Sequence, residues 1–328
     1  ACEHLVGRLQ RAAYRNCTTR SSGHTCFLKR RISATVGNFW RFSNWDFIFD
    51  KFYQSETQNT LKPRGSGLGL AISRQIIQKH GGEIWLKKTN NRDQVVLASK
   101  IAGPGDYTAH IRKTGFASKG IKDAIDLELK RLQTDYIDLY QLHWPERQTN
   151  TFGVRDYKHN ANDVWEENFN EILNTLDTQI KAGKIRYIGI SNEKAWGTMR
   201  YLEESKAHNL PRVMTIQNAY SLLNRVFEGD HAEVSIRENV GLLAYSPMAF
   251  GVLSGKYIKN TAADNARLKL FPRFARYSSE QATEATKQYL KIAEANNMTL
   301  AQMSLAFVTQ QPFVTSNIIG ATNLEQLK

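Results

Sequence analysis

Polar side chains that can transfer protons or donate hydrogen bonds recur where predicted strands end. Lys100 closes the run QVVLASK, and His143 closes the run YIDLYQLH. Later runs end in, or are followed at once by, further polar residues: Ser191, Asn192, Gln217 and Tyr245. Enzymes built on parallel strand–helix barrels keep their catalytic groups at this end of the strands. The alternative for the first two is a solvated lysine and a histidine packed in a loop.

Six short runs rich in β-branched residues alternate with amphipathic helical stretches from about residue 88 onward. The runs are QVVLASK (94–100), YIDLYQLH (136–143), IRYIGI (185–190), RVMTIQ (212–217), GLLAY (241–245) and VTSNIIG (314–320). Between them, Ser118 is a predicted N-cap, 169–180 carries an apolar stripe at helical spacing, and Thr299 with Gln302 forms a predicted capping box. Such alternation without a linker predicts an α/β fold, a (β/α)8 TIM barrel that is incomplete because about six of its eight units are found.

Composition argues for a folded protein outside membranes. The chain has 328 residues, of which 41% are hydrophobic, enough for a core. No apolar run reaches the ~18 residues that span a bilayer, so we expect a cytoplasmic protein without a membrane partner. The net charge is +13, and residues 1–35 alone carry seven Lys or Arg against one Glu. This arm lacks the spacing of a nucleic-acid-binding motif, so we interpret it as a solvated basic tail.

All three cysteines lie in that arm. They are Cys2, Cys17 and Cys26. The rest of the chain has no cysteine, so the sequence does not indicate a disulfide framework. It indicates a reducing compartment instead. The pairs Cys2-x-His4 and His24-x-Cys26 are tighter than usual zinc-ligand pairs. We therefore expect free thiols and no metal site.

The N-terminal quarter carries a second set of motifs. The segments IFDKFYQ (48–54) and GSGLGLAISRQIIQKHGGEIW (65–85) resemble the F box and second glycine box of the ATP-binding domain of sensor histidine kinases. That family also needs an Asn-bearing box and an Asp-bearing glycine box, and residues 1–47 contain neither. The resemblance implies a kinase-like fragment at 48–87, following an irregular arm at 1–47. A helix–strand packing unit without nucleotide is the favoured interpretation.

Residues 88–328 resemble the aldo-keto reductases. The resemblance rests on VVLASKIAGPG (95–105), LKRLQTDYIDLYQLHWP (129–145), GKIRYIGISN (183–192), IQNAYSLLNR (216–225), LLAYSPMAFGVLSGKY (242–257) and IIGATNLEQLK (318–328). It implies a barrel that binds NADPH at the C-terminal ends of its strands and reduces aldehydes and ketones. The expected partner is a small-molecule carbonyl substrate, and the oligomeric state is left open.

By the same resemblance, Lys100 and His143 are the catalytic residues. The residues implied to bind the cofactor are Ser191, Asn192, Gln217 and Tyr245 around the nicotinamide, Ser246, Met248, Lys256 and Arg267 around the phosphates, and Gly320, Thr322 and Gln326 around the adenosine.

The chain departs from the family pattern in one catalytic motif. The family's Asp and Tyr lie in an Asp-Thr-Ala-x-x-Tyr-like segment, which this sequence lacks. Asp50 and Tyr53 precede Lys100 at roughly the distance expected of that Asp and Tyr, but their spacing of three fits the F box better. We therefore expect a barrel without its first two units and closing helices, and impaired reduction. The alternatives are a non-catalytic fusion product or pseudoenzyme and a nucleotide-binding histidine kinase fragment.

Overall fold

The structure, a computed structural model, describes most of the C-terminal three-quarters of the chain. The described residues are 92–111, 115–152, 155–271 and 274–320. The predicted arm at 1–47 and the kinase-like segment at 48–87 lie outside them and stay predictions. Asp50, Tyr53, Thr322 and Gln326 also lie outside.

Six strands form one parallel sheet whose order follows the chain. They are β1 (Ala98–Ile101), β2 (Ile137–Leu142), β3 (Ile185–Ser191), β4 (Val213–Gln217), β5 (Gly241–Tyr245) and β6 (Val314–Ile318). Each predicted run matches one strand, although β1 begins four residues later than expected, after a short 3-10 turn at 92–94, and β3 ends one residue later, at Ser191. Parallel pairing of consecutive strands confirms the prediction of six units of a (β/α)8 barrel.

Seven α-helices connect the described strands. They are α1 (Ser118–Leu132), α2 (Phe169–Lys181), α3 (Ala195–His208), α4 (His231–Arg237), α5 (Arg267–Leu270), α6 (Glu280–Ala295) and α7 (Leu300–Thr309). The predicted N-cap at Ser118 is wrong by one residue. Ser118 is the first residue of α1, and the amide of Ile121 bonds to the carbonyl of Ala117, so Ala117 occupies the N-cap position. The capping box of Thr299 and Gln302 is confirmed. Within the described ranges, no helix has the length and apolar character to cross a bilayer.

The helices bury their apolar stripes against the sheet. In α2 the buried side chains include Phe169, Ile172, Leu173 and Leu176, and this helix packs on β3. All six residues of β2 are buried, as expected of a strand covered on both faces, and two of them, Asp138 and Gln141, are polar. The described residues within 96–127 and 135–320 belong to one compact unit, which contains every described site residue discussed below.

One glycine leaves room for a polar layer in the sheet. The register places Gln141 of β2, Gly189 of β3 and Thr215 of β4 side by side. The side-chain amide of Gln141 and the hydroxyl of Thr215 are buried and make no hydrogen bond within the described part of the chain. A Cβ at Gly189 would lie 2.5 Å from the Thr215 hydroxyl oxygen and 3.3 Å from Cγ of Gln141. This position therefore has no space for a side chain.

We predict that Gly189→Ala destabilises the fold, because overfilling a packed interior typically costs about 1–3 kcal/mol. Gly229→Ala is the matched control, since Gly229 has a φ of −61° and its added Cβ would have 3.5 Å to the nearest atom. We expect the control to change stability by less than about 0.5 kcal/mol. Urea unfolding of the full chain measures both variants, and equal midpoints for the two would contradict this packing.

Candidate functional site

Lys100 and His143 lie at the same end of neighbouring strands. In the β1–β2 ladder Lys100 pairs with Gln141, and Ile101 pairs with Leu142. The next amide, that of His143, bonds to the carbonyl of Ile101 at 2.9 Å. The two predicted catalytic side chains therefore leave adjacent strands two residues apart in register.

Burial controls the ionisation of both groups. It lowers the pKa of the half-buried Lys100 below its ordinary value. Burial and, as the smaller cause, the positive charge of Lys100 together lower the pKa of His143 to about 4. His143 is therefore a neutral imidazole at pH 7, with one nitrogen donor and one nitrogen acceptor.

Aromatic rings surround His143 on one side. Its ring centroid lies 4.8 Å from that of Trp144 and 6.4 Å from that of Phe152. The rings of Trp144 and Phe152 meet edge to face at 5.7 Å. Phe152 is 38% exposed, so this wall offers an apolar surface to a molecule that approaches His143.

The side-chain amide of Asn192 connects three strand ends. Its Nδ2 donates to the carbonyl of His143 at 2.9 Å and to the hydroxyl of Ser191 at 3.1 Å. Its Oδ1 accepts a 2.7 Å hydrogen bond from the hydroxyl of Tyr245. Asn192 has a φ of 54°, in the left-handed region that asparagine tolerates better than most residues. The network thus joins the ends of β2, β3 and β5.

Gln217 contributes its backbone and leaves its side chain available. Its carbonyl accepts from the hydroxyl of Ser191 at 2.8 Å and from the amide of Asn192 at 3.1 Å. Among the described residues, none forms a hydrogen bond with the half-buried side-chain amide of Gln217. One donor and one acceptor group are therefore available beside Asn192.

Arg276 is a cation at the site that the sequence did not reveal. Burial raises the pKa of Tyr245, and the positive charge of the nearby guanidinium of Arg276 opposes this shift. The guanidinium also lies 5.6 Å from the ring centroid of Phe250. Arg276 stands far along the chain from β5, and no motif marks it.

The loop after β5 has an unusual backbone. Ser246, Ala249 and Phe250 all have positive φ, at 56°, 47° and 58°. The carbonyl of Met248 accepts from the amide of Gly251 at 2.8 Å. Non-glycine residues in this region store strain, which is typical of ligand-binding turns.

Two predicted phosphate-binding cations lie at this loop. The guanidinium of Arg267 lies 4.7 Å from the ring centroid of Phe250 and 4.6 Å from that of Phe274. Nζ of Lys256 lies 3.2 Å from the point that a Cβ on Gly251 would occupy. The structure therefore brings Lys256 and Arg267 to the same loop as Ser246 and Met248. Gly320, by contrast, is exposed and is the last described residue.

A cleft of about 40 Å³ opens beside Asn192 and Tyr245, and Lys194 and His231 line it. Nε2 of His231 is buried and has no hydrogen-bond partner within the described part of the chain. Burial and, as a smaller cause, the positive charge of Lys194 lower the pKa of His231 to about 4. His231 is therefore a second neutral imidazole at pH 7. Groups of three or more metal-binding side chains are not found among the residues that the structure describes.

Sequence reasoning missed an ion pair next to the site. Arg147 bonds to the carboxylate of Glu193, and both side chains are buried. Arg147 follows His143 by four residues, and Glu193 directly follows Asn192. This proximity to two predicted site residues was the one signal in the sequence.

Comparison with known proteins gives two family matches. The model of the aldo/keto reductase family matches residues 73–328. The model of the histidine kinase-, DNA gyrase B- and HSP90-like ATPases matches residues 33–102. The first match covers most of the chain, and the second covers the segment that resembles the sensor kinases.

Curated relatives agree with the larger match. The protein Tas of Escherichia coli K12 is 49% identical over 251 residues, which are 74% of this chain and 71% of the relative. A protein named aldo-keto reductase from Babesia bovis is 35% identical and covers 72% of this chain and 87% of its own length. L-glyceraldehyde 3-phosphate reductase of E. coli K12 is 26% identical over 72% of this chain and 64% of the relative.

We predict that Lys100→Met raises the pKa of His143, because it removes a nearby positive charge that disfavours the imidazolium. The pKa stays below the ordinary value near 6.5, because burial remains the larger cause. NMR titration of the imidazole ring measures the shift, with the exposed Lys119→Met as the control. An unchanged titration in Lys100→Met would mean that the two side chains do not interact.

Proposed function

Because the chain belongs to the aldo/keto reductase family, we propose that it reduces aldehydes or ketones with NADPH at the strand ends around Lys100 and His143. The observation that carries this proposal is the hydrogen bond between the amide of His143 and the carbonyl of Ile101, directly after Lys100. It supports a shared site for the two side chains. Hydride from the nicotinamide is the chemistry that the cofactor supplies when bound.

The groups around Asn192 suit a nicotinamide carboxamide. A carboxamide is planar and carries both donors and an acceptor. The side-chain amide of Gln217 carries an acceptor and a donor that can pair with them. Ser191 and Asn192 bond to one another and to the strand ends, so they form a rigid surface against which the carboxamide would lie. Tyr245 is held by its hydroxyl and offers the face of its ring for stacking.

The loop after β5 suits the cofactor phosphates. Lys256 and Arg267 supply positive charge there, and we add Arg276, which contacts the same Phe250 ring. Ser246 and Met248 would contribute through the strained turn. Gly320, Thr322 and Gln326 remain proposed contacts for the adenosine part.

In the reaction, the chain's own groups act on the carbonyl oxygen. Hydride addition to a carbonyl places negative charge on oxygen, and donors aimed at that atom lower the barrier. The neutral His143 can donate a hydrogen bond from its ring N–H, and the ammonium of Lys100 can stabilise the charge. The aromatic wall of Trp144 and Phe152 suits an apolar substituent on a small carbonyl substrate.

We also propose that reduction is slow. A tyrosine in the Asp-Thr-Ala-x-x-Tyr-like motif donates the proton in the family, and this sequence lacks the motif. Loss of a positioned proton donor typically removes 10²–10⁴ of the rate. If the loss of the proton donor abolishes reduction altogether, the protein is a non-catalytic pseudoenzyme or fusion product.

A second candidate function is nucleotide binding by the N-terminal segment. The match of residues 33–102 to the histidine kinase-like ATPases favours it. Titration with a fluorescent ATP analogue, with NADPH as competitor, distinguishes this segment from the barrel site. Binding that NADPH does not displace would support the kinase-like fragment.

We predict that single-turnover oxidation of bound NADPH by a reactive aldehyde is at least ~10² slower than in a family member with the complete motif. Tyr53→Phe is the informative variant, because Tyr53 precedes Lys100 by roughly the distance expected of the family's proton-donating tyrosine. We expect the variant and the parent to react equally slowly. Fast reaction in the parent that is lost in Tyr53→Phe would identify Tyr53 as the proton donor and contradict the proposal of impairment.

We predict that Gln217→Met weakens NADPH binding by about 10-fold, the equivalent of one hydrogen bond of ~1.4 kcal/mol. Quenching of tryptophan fluorescence measures the dissociation constant. Gln288→Met on the exposed face of α6 is the matched control, because Gln288 bonds to Glu284 within its own helix. Equal affinities of the two variants would exclude a direct contact with Gln217.

A further inference from the structure

We infer that Arg147 and Glu193 are a positioning pair, which sets the geometry of His143 and Asn192 through an ion pair between the loops after β2 and β3. The inference concerns the shape of the protein's own strand ends, and only its consequence for NADPH binding rests on the proposed function.

The contact is a two-point ion pair in the interior. Nη1 of Arg147 donates to Oε2 of Glu193 at 3.0 Å, and Nη2 donates to Oε1. The side chains are 9% and 3% exposed. The planar fork of a guanidinium matches a carboxylate in this way, so the pair fixes orientation as well as distance.

The surroundings accept few other arrangements of the pair. The guanidinium of Arg147 lies 4.8 Å from the ring centroid of Trp196 and 6.0 Å from that of Trp165. Gly197 completes the enclosure, because a Cβ there would lie 2.5 Å from Cδ of Glu193 and 2.6 Å from Nη2 of Arg147. The two tryptophan rings and the backbone of Gly197 therefore confine both charged groups.

Glu193 is held by its backbone as well. Its Oε1 accepts from the amide of Lys194 at 2.6 Å, and its carbonyl accepts from Nδ2 of Asn218 at 2.9 Å. A change in the position of the carboxylate would thus move the peptide that follows Asn192. Arg147 is the group that holds the carboxylate from the opposite loop.

Two links between the same loops act together. The ion pair joins Arg147 to Glu193, and Nδ2 of Asn192 joins the carbonyl of His143 at 2.9 Å. Asn192 is kept in a left-handed conformation that most side chains avoid, so it needs support from its neighbours. Because Oδ1 of Asn192 accepts the hydroxyl of Tyr245, a shift of Asn192 would reach the end of β5.

Stability does not account for the pair. Removing two charges from water costs several kcal/mol, and replacing a buried ion pair with apolar residues of similar size is often neutral or stabilising. Positioning and stability can therefore be separated in one experiment. If the ion pair only fills space, apolar residues of similar size can replace it without moving Asn192. If the pair positions the loops, the same replacement changes the environment of Asn192.

The test is the double variant Arg147→Met/Glu193→Met in the full chain. We expect a midpoint of urea unfolding at or above that of the parent, together with changed NMR signals of the Asn192 side-chain amide in the free protein. We also expect NADPH to bind at least ~10-fold more weakly, because small displacements of binding groups are costly. Asn192→Asp assigns the amide signals.

The control uses an ion pair between the same two strands at their other ends. Nη1 of Arg186 on β3 lies 2.7 Å from Oδ1 of Asp138 on β2. We expect Arg186→Met/Asp138→Asn to change the unfolding midpoint and to leave both the Asn192 amide signals and NADPH affinity unchanged.

Unchanged Asn192 signals and unchanged affinity in the first double variant would overturn the inference. If that variant does not fold, Glu193→Gln, which keeps shape and removes charge, provides the same readout, and unchanged signals there overturn the inference equally. If the parent binds no NADPH while the Asn192 signals move in the variant, the proposed function fails and the positioning pair stands.

Discussion

The hydrogen bonds of the Asn192 side chain hold the site together. One amide group bonds to the carbonyl of His143, to the hydroxyl of Ser191 and to the hydroxyl of Tyr245. These residues lie at the ends of three strands, where backbone hydrogen bonds also run from the amide of His143 to the carbonyl of Ile101 and from the amide of Asn192 to the carbonyl of Gln217. The arrangement of the strand ends therefore depends on side-chain hydrogen bonds together with those of the backbone. A strained backbone at Asn192 is part of this arrangement, with a φ of 54°.

The segment 143–147 is the second centre of organisation. Nε1 of Trp144 donates to the carbonyl of Pro104 at 3.0 Å, in the loop after β1. Oε1 of Glu146 accepts the amide of Phe116 at 2.5 Å, just before α1. Arg147 bonds to Glu193 in the loop after β3. Three residues of this segment thus hold the loops that follow the two neighbours of β2, and the segment begins with His143.

Electrostatics at the site follows from burial. Burial lowers the pKa of Lys100, of His143 and of His231, so the uncharged form of each becomes easier to reach than in water. Tyr245 shifts the other way for the same reason, since burial raises the pKa of a phenol. A site of this kind favours hydrogen bonding by neutral groups at the strand ends. The cations Lys256, Arg267 and Arg276 remain at the loop after β5, where anionic groups are expected.

The sequence by itself determined the fold of the described region and most of the strand-end residues. Apolar periodicity is a local property of the chain, so it predicted the six strands and the buried face of α2, and the equally local Thr-x-x-Gln spacing predicted the capping box at Thr299. The resemblance of the strand-end motifs to the aldo-keto reductases marked Lys100, His143 and Asn192. Only the tertiary structure decided which of these side chains meet. The pairing of Arg147 with Glu193 and of Arg276 with Tyr245 joins residues 46 and 31 positions apart, and no local pattern encodes such contacts because they depend on how the loops fold over the strand ends.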